Sequence, residues 1–503
     1  MQTMKINHKL LIAGIATILL SACRKEYLEK SDPTKIGTET FYKNKTEADQ
    51  AVNGVYGILQ NIGQGQWLLT EQITDNTAVD LDPGNRGNAP SLETFEFMTV
   101  TSGNGYLADM YNRTYNGIYN INVALTRIPE AEMSEEEKAV DIGQLKFLRG
   151  YFYFLLVQYF GDVIVVTEPL VDPADAYNFQ RKPVDTAYAL ILQDLTDAVA
   201  NLPESYPPAE LGRATKGAAL TLLGKVYLTR KQYPEAQEAL SQITGLGYSL
   251  VPNYADAFNP AKKNGTESIF DIQYQGDNDQ GEWSDFIYSF APRLSGAAVI
   301  GWAQANPGGW NTPSKDIINA YEPDDLRKDV SIGLDFASPV TGDTIPYVKK
   351  YAHPHTINGR TNDNWPVLRY SDALLMLAET INEQGGPTGE AYTYINDVRA
   401  RAGLPALSGL TFFSFRDTLE HERRVELAFE NQRWFDLKRM HTPAEVAVIL
   451  NEFGAKEKAN PTVDRQGVAF SAQDYIFTEN EVLYPIPNRE IITNSSLTQN
   501  PGY

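Results

Sequence analysis

After residue 43, apolar positions recur three and four residues apart, and helices dominate the reading of the chain. Asn44 with Glu47 three residues on resembles a capping box, and Ala48, Ala51, Val52, Val55, Tyr56 and Leu59 follow along one face. A polar, glycine-containing loop is expected from Thr70 to Thr101, the kind of long connection that usually carries function. The next helix spans Tyr106 to Ile128. Ser134 and Glu137 cap another, with Ile142, Leu145, Leu148, Phe152 and Leu155 on its buried face. Asp185 opens a further helix through Tyr188, Ile191, Leu192, Leu195 and Val199, which Pro203 stops.

Two segments repeat a pattern. In 215–243, Leu223-Gly224, Tyr227, Ala236 and Leu240 occupy the small and bulky positions of a tetratricopeptide repeat. In 374–398, Leu377-Ala378, Ile381, Ala391, Ile395 and Val398 do the same, with one extra residue at the Gly385-Gly386-Pro387 turn. The intervening 244–365 differs in kind: Ser268 to Ile272 reads as a strand, and Gly, Pro, Asn and Trp abound. The expected class is therefore mainly α, a tetratricopeptide-like superhelix supporting a large irregular, ligand-presenting part with minor β structure.

The N-terminus reads as an address. Lys5 and Lys9 precede an apolar run from Leu10 to Leu20, too short to span a membrane, and Leu20-Ser21-Ala22-Cys23 looks like the lipobox of bacterial lipoproteins. Residues 1–22 are then a signal peptide, Cys23 the lipidated first residue, and 23–43 a tether carrying Pro33 and Gly37. The main domain is 44–503, divided into 44–243, 244–365 and 366–503. Cys23 is the sole cysteine, which excludes disulfides and cysteine-rich metal sites. Arg24 follows it where aspartate would signal inner-membrane retention, so the outer membrane is the expected destination.

Composition narrows the partners. Lys+Arg 43 against Asp+Glu 64 gives a net charge of −21, which argues against nucleic acid, whose binders need a basic footprint. No metal site is expected: His421 lacks a histidine four residues on, and His353-Pro354-His355 reads as a surface pair. Asp80-x-Asp82 and Asp277-x-Asp279 begin like calcium loops but continue with Gly84 and Gly281 and lack the closing glutamate. No nucleophile elbow, phosphate loop or dinucleotide fingerprint occurs, and no cofactor is implied. Glu420 with Arg424, and Asp436 with Arg439, have the spacing of helical ion pairs.

The aromatic side chains are more informative: 28 Tyr, 21 Phe and 6 Trp. Trp283, Trp302 and Trp310 stand in the loop-rich 277–312 stretch beside Asp279, Gln280, Asp285, Gln304, Asn306 and Asn311. An indole covers the apolar face of a sugar ring, and such polar neighbours could bond its hydroxyls. Trp365 and Trp434 read as core, while Trp67 fits either role. Trp67 and the Asp75–Arg86 loop, with Asp75 and Arg86 as its candidate contacts, are the next candidates.

Several blocks carry a family resemblance. Tyr27-Leu28, Phe41-Tyr42 and Ala51-Val52-Asn53-Gly54-Val55-Tyr56 resemble the opening of SusD/RagB lipoproteins. Glu422-Arg423-Arg424-Val425-Glu426 through Trp434-Phe435-Asp436, Arg369-Tyr370-Ser371-Asp372, and the ending Tyr484-Pro485-Ile486-Pro487 with Asn500-Pro501-Gly502-Tyr503 are similar to that family too. The resemblance implies a lipid-anchored outer-membrane protein facing the cell exterior. It would bind oligosaccharide, or peptide as in some members, and hand it to a TonB-dependent SusC-type transporter without breaking bonds. The motif residues Glu422, Arg424, Glu426 and Trp434 would be scaffold. A surface glycoside hydrolase and a tetratricopeptide-type adaptor remain as alternatives.

Overall fold

The computed structural model describes residues 41–503 except 82, 85–88, 171 and 278–280. Cys23, the tether up to residue 40, Arg86, Asp279 and Gln280 lie outside the described residues.

The long helices form a row in which each packs on the next. Helices α1 (Lys45–Thr70), α2 (Ala89–Glu96), α3 (Gly105–Arg127), α4 (Glu135–Phe160) and α5 (Val184–Asn201) make the first part. α6 (Lys216–Thr229) and α7 (Tyr233–Ser241) form the first expected repeat hairpin. α8 (Tyr370–Gly385) and α9 (Gly389–Arg401) form the second, followed by α10 (Phe412–Glu426), α11 (Arg433–Met440) and α12 (Pro443–Ala459). α1 packs on α3, α3 on α4, α4 on α5 and α5 on α6; α7 then packs on α8, so the two hairpins adjoin although the irregular segment separates them in sequence. Among the described residues no helix is long and apolar enough to cross a membrane.

Capping chemistry sets the helix starts. Asn44 accepts a hydrogen bond from the Glu47 amide at 3.1 Å, and the Glu47 carboxylate accepts one from the Lys43 amide at 2.7 Å. Ser134 and Glu137 complete a reciprocal box. Within the first repeat, a Cβ on Gly224 would lie 2.5 Å from Leu240 Cγ, so only glycine lets α6 and α7 approach this closely. Two features differ from the sequence pattern. α4 is buried on every side from Gly143 onward and not on one face, because α3, α5 and the C-terminal segment all pack around it. Helix α2 interrupts the long loop expected from Thr70 to Thr101.

The irregular segment is tied down by a strand and by buried charge. Strand β1 (Ser268–Ile272) pairs antiparallel with β2 (Trp365–Arg369), which leads directly into α8. Trp365 stacks on Tyr351 at 5.0 Å and 12°, as core. Arg327, with no exposed side chain, is held by Asp325 at 2.7 Å, Glu422 at 2.5 Å and Glu426 at 3.1 Å. Arg369 bridges Glu267, Glu426 and Glu430, and Lys350 reaches Glu430 at 2.6 Å. A buried charge is tolerable only when paired and hydrogen-bonded, so these residues fasten 250–369 onto α10. Trp434 is wholly buried, 6.3 Å from Tyr484, whose hydroxyl donates to Leu69 O at 2.8 Å. Arg369, Glu422, Glu426, Glu430, Trp434 and Tyr484 of the resemblance-bearing blocks are thus buried within the fold.

The helix-spaced ion pairs divide. Arg439 does bond Asp436 at 2.8 Å. Glu420 instead meets Arg433 at 2.8 Å and His441 at 2.9 Å, while Arg424 turns to Asp75 and Asp316. Tertiary partners that offer several charge-assisted contacts in a partly buried setting outcompete a neighbour one helical turn away.

Candidate functional site

The two regions singled out separately in the sequence come together. Thr77 and Ala78 pair antiparallel with Pro313 and Thr312. Beyond them the Asp80 amide donates to Gly309 O at 2.8 Å. The Asp80 carboxylate accepts from the Arg293 amide at 3.1 Å, and the Arg293 guanidinium donates to Leu81 O at 2.8 Å. Residues 77–81 are therefore stitched along the 293–313 segment.

The tryptophans of that segment part company. A π-type turn over Gly296–Ile300 ends at Gly301, whose φ of +82° lies in the left-handed region that favours glycine. The backbone is re-aimed there, and Trp302 emerges half-buried on an apolar cushion of Ile287, Ala291 and Ile300. Its ring lies 6.1 Å from the His355 ring at 31°. His355 Nε2 meets the Tyr288 hydroxyl at 2.8 Å. The same hydroxyl donates to Asn358 Oδ1 at 2.8 Å and accepts from the Gly359 amide at 2.6 Å. An indole, an imidazole, a phenol and an exposed amide thus form one partly buried rim joined by these contacts. Trp283 lies against the turn closed by the Ile357–Arg360 bridge, its ring 4.3 Å from the Arg360 guanidinium.

Trp310 faces elsewhere. It packs partly on the main core, its amide donates to Ser289 O at 2.8 Å, and its carbonyl accepts from Gln72 Nε2 at 2.6 Å. With Trp67, Tyr106, Arg113 and Asp285 it lines a cleft of about 470 Å³ between α1 and α3. Burial raises the Asp285 carboxyl above its ordinary value. Trp67 is only 4% exposed; its indole N–H donates to Gln64 O at 2.9 Å and its ring meets Phe290 edge-on at 5.2 Å. It is mostly core, with an edge on the cleft. Asn311 is fully buried, whereas Gln304 and Asn306 are exposed.

Asp75 requires a correction. It is 3% exposed, and Arg433 grips both of its carboxylate oxygens at 2.9 Å while Arg424 approaches to 3.1 Å. Burial alone would raise its carboxyl, but the two guanidinium groups hold it well below the usual carboxylate range. Its lone pairs serve the scaffold and not a ligand. Arg86 lies outside the described residues.

Sequence reasoning missed Tyr288, His355 and Asn358. The signal was present in His353-Pro354-His355, read as a surface pair. His353 is anchored by Asp363 at 2.5 Å, which leaves His355 facing Trp302. No cluster of three or more metal-ligating side chains occurs among the described residues.

Comparison with known proteins agrees with this architecture. A family model described as the SusD family matches residues 338–503, and one described as starch-binding associating with outer membrane matches residues 26–228. SusD-like protein P25 of Formosa agariphila is 29% identical over 468 residues, covering 82% of this chain and 86% of its own. A solved laminarin-binding SusD-like protein shares 26% identity at a TM-score of 0.75, over 92% of this chain and all of its own. A SusD homologue from Bacteroides thetaiotaomicron shares the fold at a TM-score of 0.80 and 23% identity, covering 94% of this chain and 100% of its own. Two family models that together take in both ends of the chain, and relatives aligned over most of its length, lead to one conclusion: the chain belongs to the SusD/RagB family.

Proposed function

We propose that this protein is a cell-surface carbohydrate-binding lipoprotein that captures an oligosaccharide at the Trp302 rim and passes it to a TonB-dependent SusC-type transporter. The observation that carries this reading is the partly exposed Trp302 ring beside His355, Tyr288 and the exposed Asn358. The apolar CH face of a pyranose stacks on such rings with little entropy lost, and neutral hydrogen-bonding groups at the edge read its hydroxyls. The laminarin-binding relative and the starch-binding description of the N-terminal family model support a neutral glucan-type ligand. Cys23 anchors the chain to the outer membrane, facing outward, and the bound glycan leaves uncleaved.

Affinity electrophoresis of residues 24–503 through starch, laminarin and other neutral polysaccharides tests the binding. Retardation by one of them, lost in Trp302→Ala, is the expected result, with no reducing ends released. Binding by none, or binding unchanged when Trp302 and Tyr288 are both alanine, would overturn the assignment. Delivery is tested by co-purification with the outer-membrane barrel from the source organism.

A further inference from the structure

A second cleft lies at the other side of α1, under the proline-rich connection from α5 to α6. Its two lobes, of about 260 and 350 Å³, share the wall Leu211, Gly212, Arg213 and Asp271. They share no residue with the Trp302 rim. Asp271 sits on β1 and is 7% exposed, yet its Oδ1 has no hydrogen-bond partner. The hydroxyl of Tyr206, on the covering connection, is likewise enclosed and without a partner. Buried polar atoms are nearly always satisfied, so two orphans lining one cleft mark a place where a ligand supplies the missing bonds.

From this geometry we infer a second binding site, for a single neutral, polyhydroxylated ring of monosaccharide size, between Tyr206 and Asp271. The lining chooses the chemistry. Glu204 and Glu210 repel an anion, and Arg213, held by Gln144 at 3.1 Å and Glu210 at 3.4 Å, offsets their charge at the shared wall. Tyr206 and Tyr248 offer ring faces, and Ser205, Thr215, Asn264 and Thr266 offer neutral donors and acceptors. Burial pushes the Asp271 carboxyl up to about 7. The lobes are at the small end of the range for ligand pockets, room for one or two rings and not a chain.

The test uses residues 24–503 carrying Trp302→Ala, so that the rim is silent. D-glucose, D-galactose and D-xylose are titrated by NMR, with D-glucuronate and D-glucosamine as charged controls. Saturable one-to-one binding of a neutral sugar is expected, weakened at least tenfold by Tyr206→Phe and by Asp271→Leu. Tyr206→Phe removes only a buried unpaired hydroxyl, so its melting temperature without sugar should stay level or rise. A merely structural role predicts the opposite, lower stability with unchanged binding, and would overturn the site. So would the absence of saturable binding by any neutral sugar. Equal binding of either charged control would overturn the ligand class. If Trp302→Ala leaves oligosaccharide binding intact while Tyr206→Phe abolishes it, the rim assignment fails and this one stands.

Discussion

The guanidinium of Arg433 holds both carboxylate oxygens of Asp75 at 2.9 Å, joining residues 358 apart in sequence. This clasp fixes the start of the loop that runs on to Asp80 and Leu81 and is sewn to the segment bearing Trp302. It links the family's Glu-Arg-Arg block to the rim without placing any of that block in it.

Asp75→Asn should therefore destabilise the fold, by up to about 3–5 kcal/mol, because the buried Arg433 and the half-buried Arg424 each lose one of their two carboxylate partners. Denaturant midpoints of the parent and the variant measure this. The pH dependence has a definite sign. Because the folded carboxyl lies below its unfolded value, the stabilisation is complete above about pH 4 and fades as pH falls through the folded value. An equal midpoint for parent and variant at pH 7 would mean the clasp contributes nothing.

Glu71 should act in the opposite direction. Burial, opposed only in part by the Asn431 amide and Lys350, raises its carboxyl to about 8. The folded chain holds it neutral while the unfolded chain ionises near pH 4.5, so stability is lost as pH rises from there towards 8. Glu71→Gln keeps the neutral shape and should recover up to roughly 3 kcal/mol at neutral pH. Melting curves at pH 5 and pH 8 should converge in the variant.

The parting of the tryptophans predicts separable phenotypes. Trp302→Ala should cost ~1–3 kcal/mol of glycan binding, by analogy with other aromatic stacking platforms, with the melting temperature kept. Trp67→Ala should do the reverse, losing about 3–5 kcal/mol of stability through the cavity it leaves. Isothermal titration beside thermal melts distinguishes them; a Trp302→Ala protein that melts early and binds normally would make that ring a structural one.

Arg424→Ala should lower the melting temperature without touching the ligand. Its guanidinium bonds Asn76 Oδ1 at 2.8 Å and Asp75 O at 3.0 Å, closing the same junction from the α10 side. A variant as stable as its parent that no longer binds glycan would place a functional contact there instead.

Cys23→Ser should abolish acylation and release the protein from outer-membrane fractions, since one thiol carries the anchor. Retention at parental levels would rule out the lipoprotein reading.

What the sequence determined by itself was local. Asn44 with Glu47, Ser134 with Glu137, and the repeat spacings around Gly224 and Ala391 place the helices, because capping bonds and helical periodicity act within a few residues. The SusD/RagB blocks were legible for the same reason, as contiguous strings. The partners of those strings were not. Glu420 could have met Arg424 one turn away, and only the packed fold gave it Arg433 and His441 and gave Arg424 to Asp75. Three tryptophans in one polar stretch looked alike on paper. A π-type turn at Gly296–Ile300 and the segment carrying His355, some fifty residues downstream, left Trp302 partly exposed, while Trp310 was drawn onto the core. Exposure and pairing are decided by what packs against a side chain from elsewhere in the chain, and at these sites the deciding contacts cross from 13 to 349 residues of sequence.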